Sequence, residues 1–276
     1  MSRPPLAELW PRPSVMGIVN VTPDSFSDGG DNAEPDAAVA TALRLLDEGA
    51  ALVDIGGEST RPGADDVVLE EELRRVIPVL EGLSGHPLSI DTSKAEVARR
   101  ALTLGASLVN DVTALRADPD LAGVIADAGA YVCLMHMQGQ PRTMQVAPRY
   151  DDVVEEVSAF LEERLSVAVG AGIHEDRVCL DPGIGFGKTV TQNLALIHGL
   201  GRICSIGPPV LVGLSRKSTL ARVLGAPDGR VGTDAASVGA AVAAFDRGAT
   251  LFRAHDVAAH VEALTIAAAV ERGGGQ

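Results

Sequence analysis

Three short polar side chains stand where apolar runs end: Asp91 after PLSI, Asn110 closing ASLVN and Asp181 after RVCL. A carboxylate can accept two parallel hydrogen bonds from adjacent N–H groups, and an amide both donates and accepts. The trio therefore complements the edge of a flat nitrogen heterocycle. A second set, Arg61, Lys217, Arg253 and His255, is cationic and suits a phosphate or diphosphate: arginine offers a planar fork of donors and lysine a mobile point charge. The simplest competing role for Asp91 is to cap the helix that follows its strand. For His136, which also ends an apolar run, a core or capping role competes evenly with facing a ligand.

What must position these residues is a series of eight short apolar runs, at 14–19, 51–56, 87–90, 106–110, 130–135, 177–180, 209–214 and 249–254. Each is rich in Val, Ile and Leu and continuous, as in strands buried on both faces. Helical patterns lie between them, several closed by Gly, and eight alternating units predict a single (β/α)8 TIM barrel over residues 14–270. An open doubly wound sheet would also alternate, but no linker-like composition divides the chain. Residues 1–13 read as a loose N-terminal extension and 271–276 as a disordered tail. At or just past the downstream ends of the runs come Asn20, Asp54, Asp91, Asn110 with Asp111, His136, Asp181, the Ser215–Lys217 stretch, and Arg253 with His255. Eight strands ending in polar residues predict one polar ring at the C-terminal ends of the strands, where barrel enzymes hold their active sites.

Composition narrows the ligand further. The chain has 276 residues, 46% of them hydrophobic and 22% charged, with a net charge of −14. Its mean hydropathy is +0.18. Such an acidic protein has no basic stripe for a nucleic-acid backbone or membrane surface, so an anionic ligand must be met by a few local cations. Cys133, Cys179 and Cys204 are few and unclustered, which fits buried thiols in a reducing cytoplasm. No apolar run is long enough to span a bilayer, and the histidines show no metal-site spacing.

Two loops draw attention. DPGIGFGKT (181–189) nearly matches a nucleotide-binding P-loop, but Pro182 stands where that pattern needs Gly, and proline has no N–H to offer a phosphate. It reads instead as a shaped turn presenting Asp181 and Phe186. NVTPDSFSDGGD (20–31) is longer than a strand–helix connection usually needs, with no helical pattern until about residue 36. It reads as a lid whose Gly29 and Gly30 permit bending, the competing reading being an ordinary surface loop.

With these residues assembled, the chain resembles the dihydropteroate synthases over residues 14–266. NVTPDSFSDGG, DIGGESTRPGA, SIDT, VNDV, MHMQGQPRTMQ, DPGIGFGKT, GLSRKS, GTDAAS and RAHDV match that family's blocks in its order. The resemblance implies a cytoplasmic, usually homodimeric barrel and sulfonamide target. Its reaction joins p-aminobenzoate to 6-hydroxymethyl-7,8-dihydropterin diphosphate, giving 7,8-dihydropteroate and diphosphate. It further implies that Asp91, Asn110, Met135, Asp181, Phe186 and Lys217 bind the pterin. Asn20, Thr60, Arg61, Arg253 and His255 would meet the diphosphate, with Asn20 also on Mg²⁺. Phe26, Pro62 and Ser218 would shape the aminobenzoate pocket. Asp91, Lys217, Arg253 and His255 would take part in catalysis, with Asp28 ordering a water or the incoming amine. Corrinoid-serving pterin methyltransferases, a non-catalytic pterin binder and a sugar-phosphate barrel are the alternatives. The first has no diphosphate to expel, the second would not need Lys217 and Arg253, and the third suits Asp91, Asn110 and Asp181 less well.

Overall fold

A computed structural model describes residues 3–22, 30–59, 66–140 and 143–273. Every one of the eight apolar runs forms a strand: β1 (Ser14–Asn20), β2 (Leu52–Gly56), β3 (Leu88–Asp91), β4 (Leu108–Asp111), β5 (Tyr131–Met135), β6 (Val178–Asp181), β7 (Leu211–Val212) and β8 (Leu251–Ala254). The strands are parallel in the order β6-β5-β4-β3-β2-β1-β8-β7. A parallel bridge between Leu180 and Val210 brings the two ends of that sheet together, so the barrel closes. β7 is the shortest strand.

Helices cover the outside. Following α1 (Leu6–Leu9) they are α2 (Gly30–Asp47), α3 (Leu69–Gly82), α4 (Ala95–Thr103), α5 (Leu121–Ala128), α6 (Val153–Gly170), α7 (Val190–His198), α8 (Leu200–Cys204), α9 (Ser218–Val223), α10 (Asp234–Phe245) and α11 (Val257–Glu271). Local chemistry sets several starts. Asp152 accepts from the N–H groups of Val154 and Glu155 at the head of α6, and Thr233 and Asp256 do the same for α10 and α11. α2 begins at Gly30, ahead of the expected residue 36. Pro35 lies inside it, and proline's fixed φ is compatible with a helix near its start, where few N–H groups have partners to lose.

The interior divides into two layers because side chains alternate along each strand. Val53, Ile90, Val109, Val132 and Leu180 point outward into the large cluster shared with the helices. Inward, Met16, Leu52, Leu108, Tyr131, Leu211 and Leu251 pack an apolar floor. One pleat further along, the same inward face carries Asp54, Asp91, Asn110, Asp181 and Arg253. Gly17 lets α2 lie close to β1, since a Cβ there would sit 3.0 Å from a Leu45 methyl.

The N-terminal extension is not loose. Leu6 and Trp10 are buried in the floor cluster, the Trp10 and Tyr131 rings lie 5.2 Å apart, and the Tyr131 hydroxyl donates to the Pro4 carbonyl at 2.6 Å. α1 therefore stops the bottom of the barrel, a role hidden in sequence because four helical residues carry too little periodicity to read. At the other end α11 runs through Glu271, which pairs with Arg12 at 2.9 Å, so the expected tail is helical at its start. Replacing Trp10 by Ala should lower unfolding free energy by about 3–5 kcal/mol, measured by urea denaturation. A loss below about 1 kcal/mol would show that the stopper contributes little to stability.

Candidate active site

The polar layer is organised around an arginine held between two carboxylates. Arg253 Nε donates to Asp54 Oδ2 at 2.7 Å and its Nη2 donates to Asp91 Oδ2 at 2.8 Å. The same Asp54 oxygen accepts from Asn110 Nδ2 at 2.9 Å, tying β2, β3, β4 and β8 together. These contacts follow from the parallel pairing, which places Gly56 beside Asp91 and Asp91 beside Asn110.

The electrostatics follow from burial. Asp91 is pushed up to about 7, chiefly by burial, with the charges of Asp54, Glu72 and Asp111 adding to the effect and Arg253 opposing it. Burial also raises Asp181, against a hydrogen bond from the Gly183 N–H. Burial alone would loosen the proton of Arg253, but Asp54 and Asp91 outweigh it and drive its pKa up. Asp91 makes no capping bond: the α4 N-terminus instead uses Asp118, whose Oδ2 accepts from the Ala95 N–H. Asp111 is a turn-former, accepting from the N–H groups of Thr113 and Leu115.

The 181–189 segment is a shaped turn. Asp181 Oδ1 accepts from the Gly183 N–H at 2.7 Å. Gly183 has φ +67°, and a Cβ on it would fall 1.9 Å from the His136 carbonyl oxygen, so only glycine fits. Lys188, the lysine of the near P-loop, is 2% exposed. Its ammonium donates to the carbonyls of Gly183 and Phe186, both at 2.9 Å, and pairs with His136 Nδ1 at 2.9 Å. Thr189 caps α7 through a capping box with Gln192. The residues that would grip phosphate in a P-loop here hold the turn itself. His136 is accordingly structural: burial and the neighbouring cations Lys188 and Arg116 lower it to about 3, so it stays neutral.

Phe186 is thereby presented at the rim, where Lys217 Nζ lies 4.2 Å over its ring. Lys217 precedes α9, and Ser218 opens that helix on the exposed side. His255 is oriented by Ser215, whose Oγ lies 2.9 Å from His255 Nδ1 and accepts its backbone N–H at 3.1 Å. Arg216, between them, turns away to Asp234. Met135 is buried at the end of β5. Asn20 ends β1 beside Gly56, where a Cβ would stand 3.8 Å from Asn20 Oδ1 and 3.4 Å from Asp91 Cβ, so the glycine keeps the space between them open.

Asp91, Asn110, Asp181, Met135, Phe186, Lys217, Arg253, His255 and Asn20 thus all belong to strand ends or the connections that follow them, and Ser218 opens the helix after one such connection. Phe26, Asp28, Thr60, Arg61 and Pro62 lie outside the described residues. Arg253, expected to meet an anion, donates through Nε to Asp54 and through Nη2 to Asp91. Asp54, Ser215 and Lys188 carry no assigned role in the sequence reading. Asp54 could have been found from its inward parity with Leu52, but Lys188 was hidden because an exposed and a buried lysine look alike in sequence.

The family description "Pterin binding enzyme" matches residues 16–255. The dihydropteroate synthase of Haemophilus influenzae is 46% identical over 258 residues, covering 92% of either chain. Among solved structures, Xanthomonas albilineans dihydropteroate synthase with 4-aminobenzoic acid superposes with a TM-score of 0.86 at 54% identity, covering 95% of this chain and 94% of that one. A second structure of that enzyme, in complex with 7,8-dihydropteroate, gives a TM-score of 0.83 at 49% identity, covering 95% and 94%. The chain belongs to the pterin-binding enzymes and, among them, to the dihydropteroate synthases.

Proposed function

We propose that the rim divides the work of dihydropteroate synthesis between a carboxylate–amide side that holds the pterin and a cationic side that receives the diphosphate. The reaction itself joins 6-hydroxymethyl-7,8-dihydropterin diphosphate to p-aminobenzoate: the bond from the exocyclic methylene carbon to diphosphate oxygen breaks, a bond to the amine nitrogen forms, and the amine loses a proton. The observation that carries the division is the meeting of Asp91, Asn110 and Arg253 in one hydrogen-bonded cluster, with Lys217 over Phe186 close to Asp181.

In this reading Asp181 and Asn110 bind the pterin edge, Met135 and Phe186 enclose the ring, and Lys217 adds a donor. His255, oriented by Ser215, stabilises charge growing on the leaving group, and Arg253 supplies positive charge to the same rim. Asn20 offers an amide oxygen for Mg²⁺ beside the space kept by Gly56. Among the described residues no group of three His, Cys, Asp or Glu side chains could hold a metal ion. The amide oxygen of Asn20 is the hard donor type that would hold such an ion. The chemistry Mg²⁺ would supply there is positive charge against the leaving group.

Loss of diphosphate leaves a cation spread over the dihydropterin, and Asp91 as an ionised carboxylate stabilises it. Phe26, Pro62 and Ser218 shape the aminobenzoate pocket, Thr60 and Arg61 meet the diphosphate, and Asp28 orders the incoming amine. The first two loops close over the site once diphosphate is present. A sulfonamide, which mimics the aminobenzoate, competes at that pocket.

Association into a homodimer is part of the same reading. α10 and α11 pack side by side, and the outer face of α11 exposes Ile266 (62%) and Val270 (74%) with Glu262 as its lone charge between Val257 and Val270. Such an apolar face on a surface helix suits a second copy. A cytoplasmic location accords with three free cysteines. Among the described residues no helix is long and apolar enough to cross a membrane.

Purified protein given both substrates and Mg²⁺ should release diphosphate and form dihydropteroate, detected by mass; pterin binding without product would overturn the catalytic reading. Because burial pushes Asp91 up to about 7 and only its ionised form opposes a cation, kcat/KM for the pterin substrate should fall about tenfold per pH unit below that value. Asp91→Asn should lower kcat by about 10²–10³ and change the affinity for an unreactive pterin by less than about threefold. Equal losses in both would remove the proposed role. Placing Glu at both Ile266 and Val270 should halve the mass seen by sedimentation, and an unaltered mass would exclude this face from the interface.

A further inference from the structure

Beneath the rim lies a polar pair that the division of labour above does not use. Asp54 is fully buried, and its Oδ2 serves two donors at once, Arg253 Nε and Asn110 Nδ2, while Oδ1 has no hydrogen-bond partner among the described residues. Ser89 is its cross-strand neighbour on β3, on the same inward face and two residues before Asp91. Its Oγ is likewise buried without a partner. A carboxylate in that position loses its hydration, and unsatisfied buried polar atoms in a native protein call for a specific cause. Stability alone is a poor one, since an apolar residue at position 54 would continue the floor made by Leu52 and its neighbours.

The connectivity supplies a better cause. Asn110 and Arg253 come from strands on different sides of β2, and Asp54 is the atom-to-atom link between them. Remove it and, among the described residues, the guanidinium keeps Asp91 as its one side-chain partner, while the Asn110 amide loses the acceptor that orients it. We propose that Asp54 is a positioning residue for the reaction: through Arg253 it fixes the Asp91 carboxylate opposite the pterin, and through Asn110 it fixes the amide that reads the pterin edge. This rests on the reading of Asp91 as the group facing the pterin cation.

The charges around Asp91 come from every side. Arg253 approaches from β8, Asp54 from β2, Asp111 from β4 and Glu72 from α3, and Asp181 on β6 acts on Arg253. Asp54 is one of three carboxylates that make Asp91 harder to ionise, while it also shares the one guanidinium that makes ionisation easier. Its charge thus bears on Asp91 twice in the same direction.

The test is Asp54→Asn, which keeps size and shape and removes the charge. The acid limb of kcat/KM should move to lower pH by about half a unit or more, with kcat down about 10- to 100-fold through loss of alignment. A purely structural role would lower kcat at all pH values and leave the limb in place, which would overturn the proposal. A double-mutant cycle with Arg253→Lys provides the second criterion. If Asp54 acts through Arg253, the double variant should be within about threefold of the worse single one, whereas multiplied losses would count against it. If Asp54→Asn does not fold, Arg253→Lys alone decides: a compact ammonium lacks the planar fork that reaches Asp54 and Asp91 from two separate nitrogens, so the limb should move to higher pH, and an unmoved limb overturns the proposal. The cycle is read also in the Kd of an unreactive pterin. It is therefore informative even if Asp91→Asn retains the acid limb, a result that would instead overturn the assigned role of Asp91.

Discussion

The site depends on one buried arrangement, the Arg253 guanidinium held between Asp54 and Asp91. Asp54 is fully buried and Asp91 nearly so, and two carboxylates at that depth need a positive partner to offset the hydration they lose. Arg253 is that partner for both, and it opposes the upward push of burial on Asp91. Its planar fork presents Nε to Asp54 and Nη2 to Asp91, two oxygens on different strands met by two separate nitrogens. Buried ion clusters are weak contributors to stability, so their place at the mouth of the barrel fits a catalytic use better than a structural one.

Strand parity makes this arrangement possible. With a period of two, the inward residues of each strand form successive layers, and the change from Leu52, Leu108 and Leu251 to Asp54, Asn110 and Arg253 occurs within one pleat. The apolar floor, stopped from below by α1 and Trp10, excludes water under the polar layer and strengthens every charge–charge interaction above it. A single-residue slip of β2 would send Asp54 outward among the helices and leave Arg253 with one partner.

The turn after β6 shows the same economy on a smaller scale. Gly183 and Gly187 pass so close to the backbone of residues 136–138 that a Cβ would collide with carbonyl oxygens. Lys188 satisfies three acceptors inside the turn, and its own pKa is lowered to about 7, chiefly by burial. The result is a rigid support from which Asp181 and Phe186 face the rim. Its resemblance to a phosphate loop is one of spelling: both use glycine for close backbone approach, but here the approaching group is the protein's own main chain.

The eight strands, their burial on both faces and the polar ring at their downstream ends were legible in the amino-acid order, because alternation and continuous Val, Ile and Leu runs are local signals. So were the short functional residues Asp91, Asn110 and Asp181, whose positions past each run follow from the same pattern. What the order could not reveal was who meets whom. Arg253 and Asp54 are far apart in the chain, and only barrel closure brings them to 2.7 Å. That Lys188 is buried, that His136 is neutral and that α1 stops the barrel were likewise decided by tertiary packing. A side chain's charge and partners depend on its solvent exclusion and on neighbours from other strands, and neither quantity is written in the residues adjacent to it.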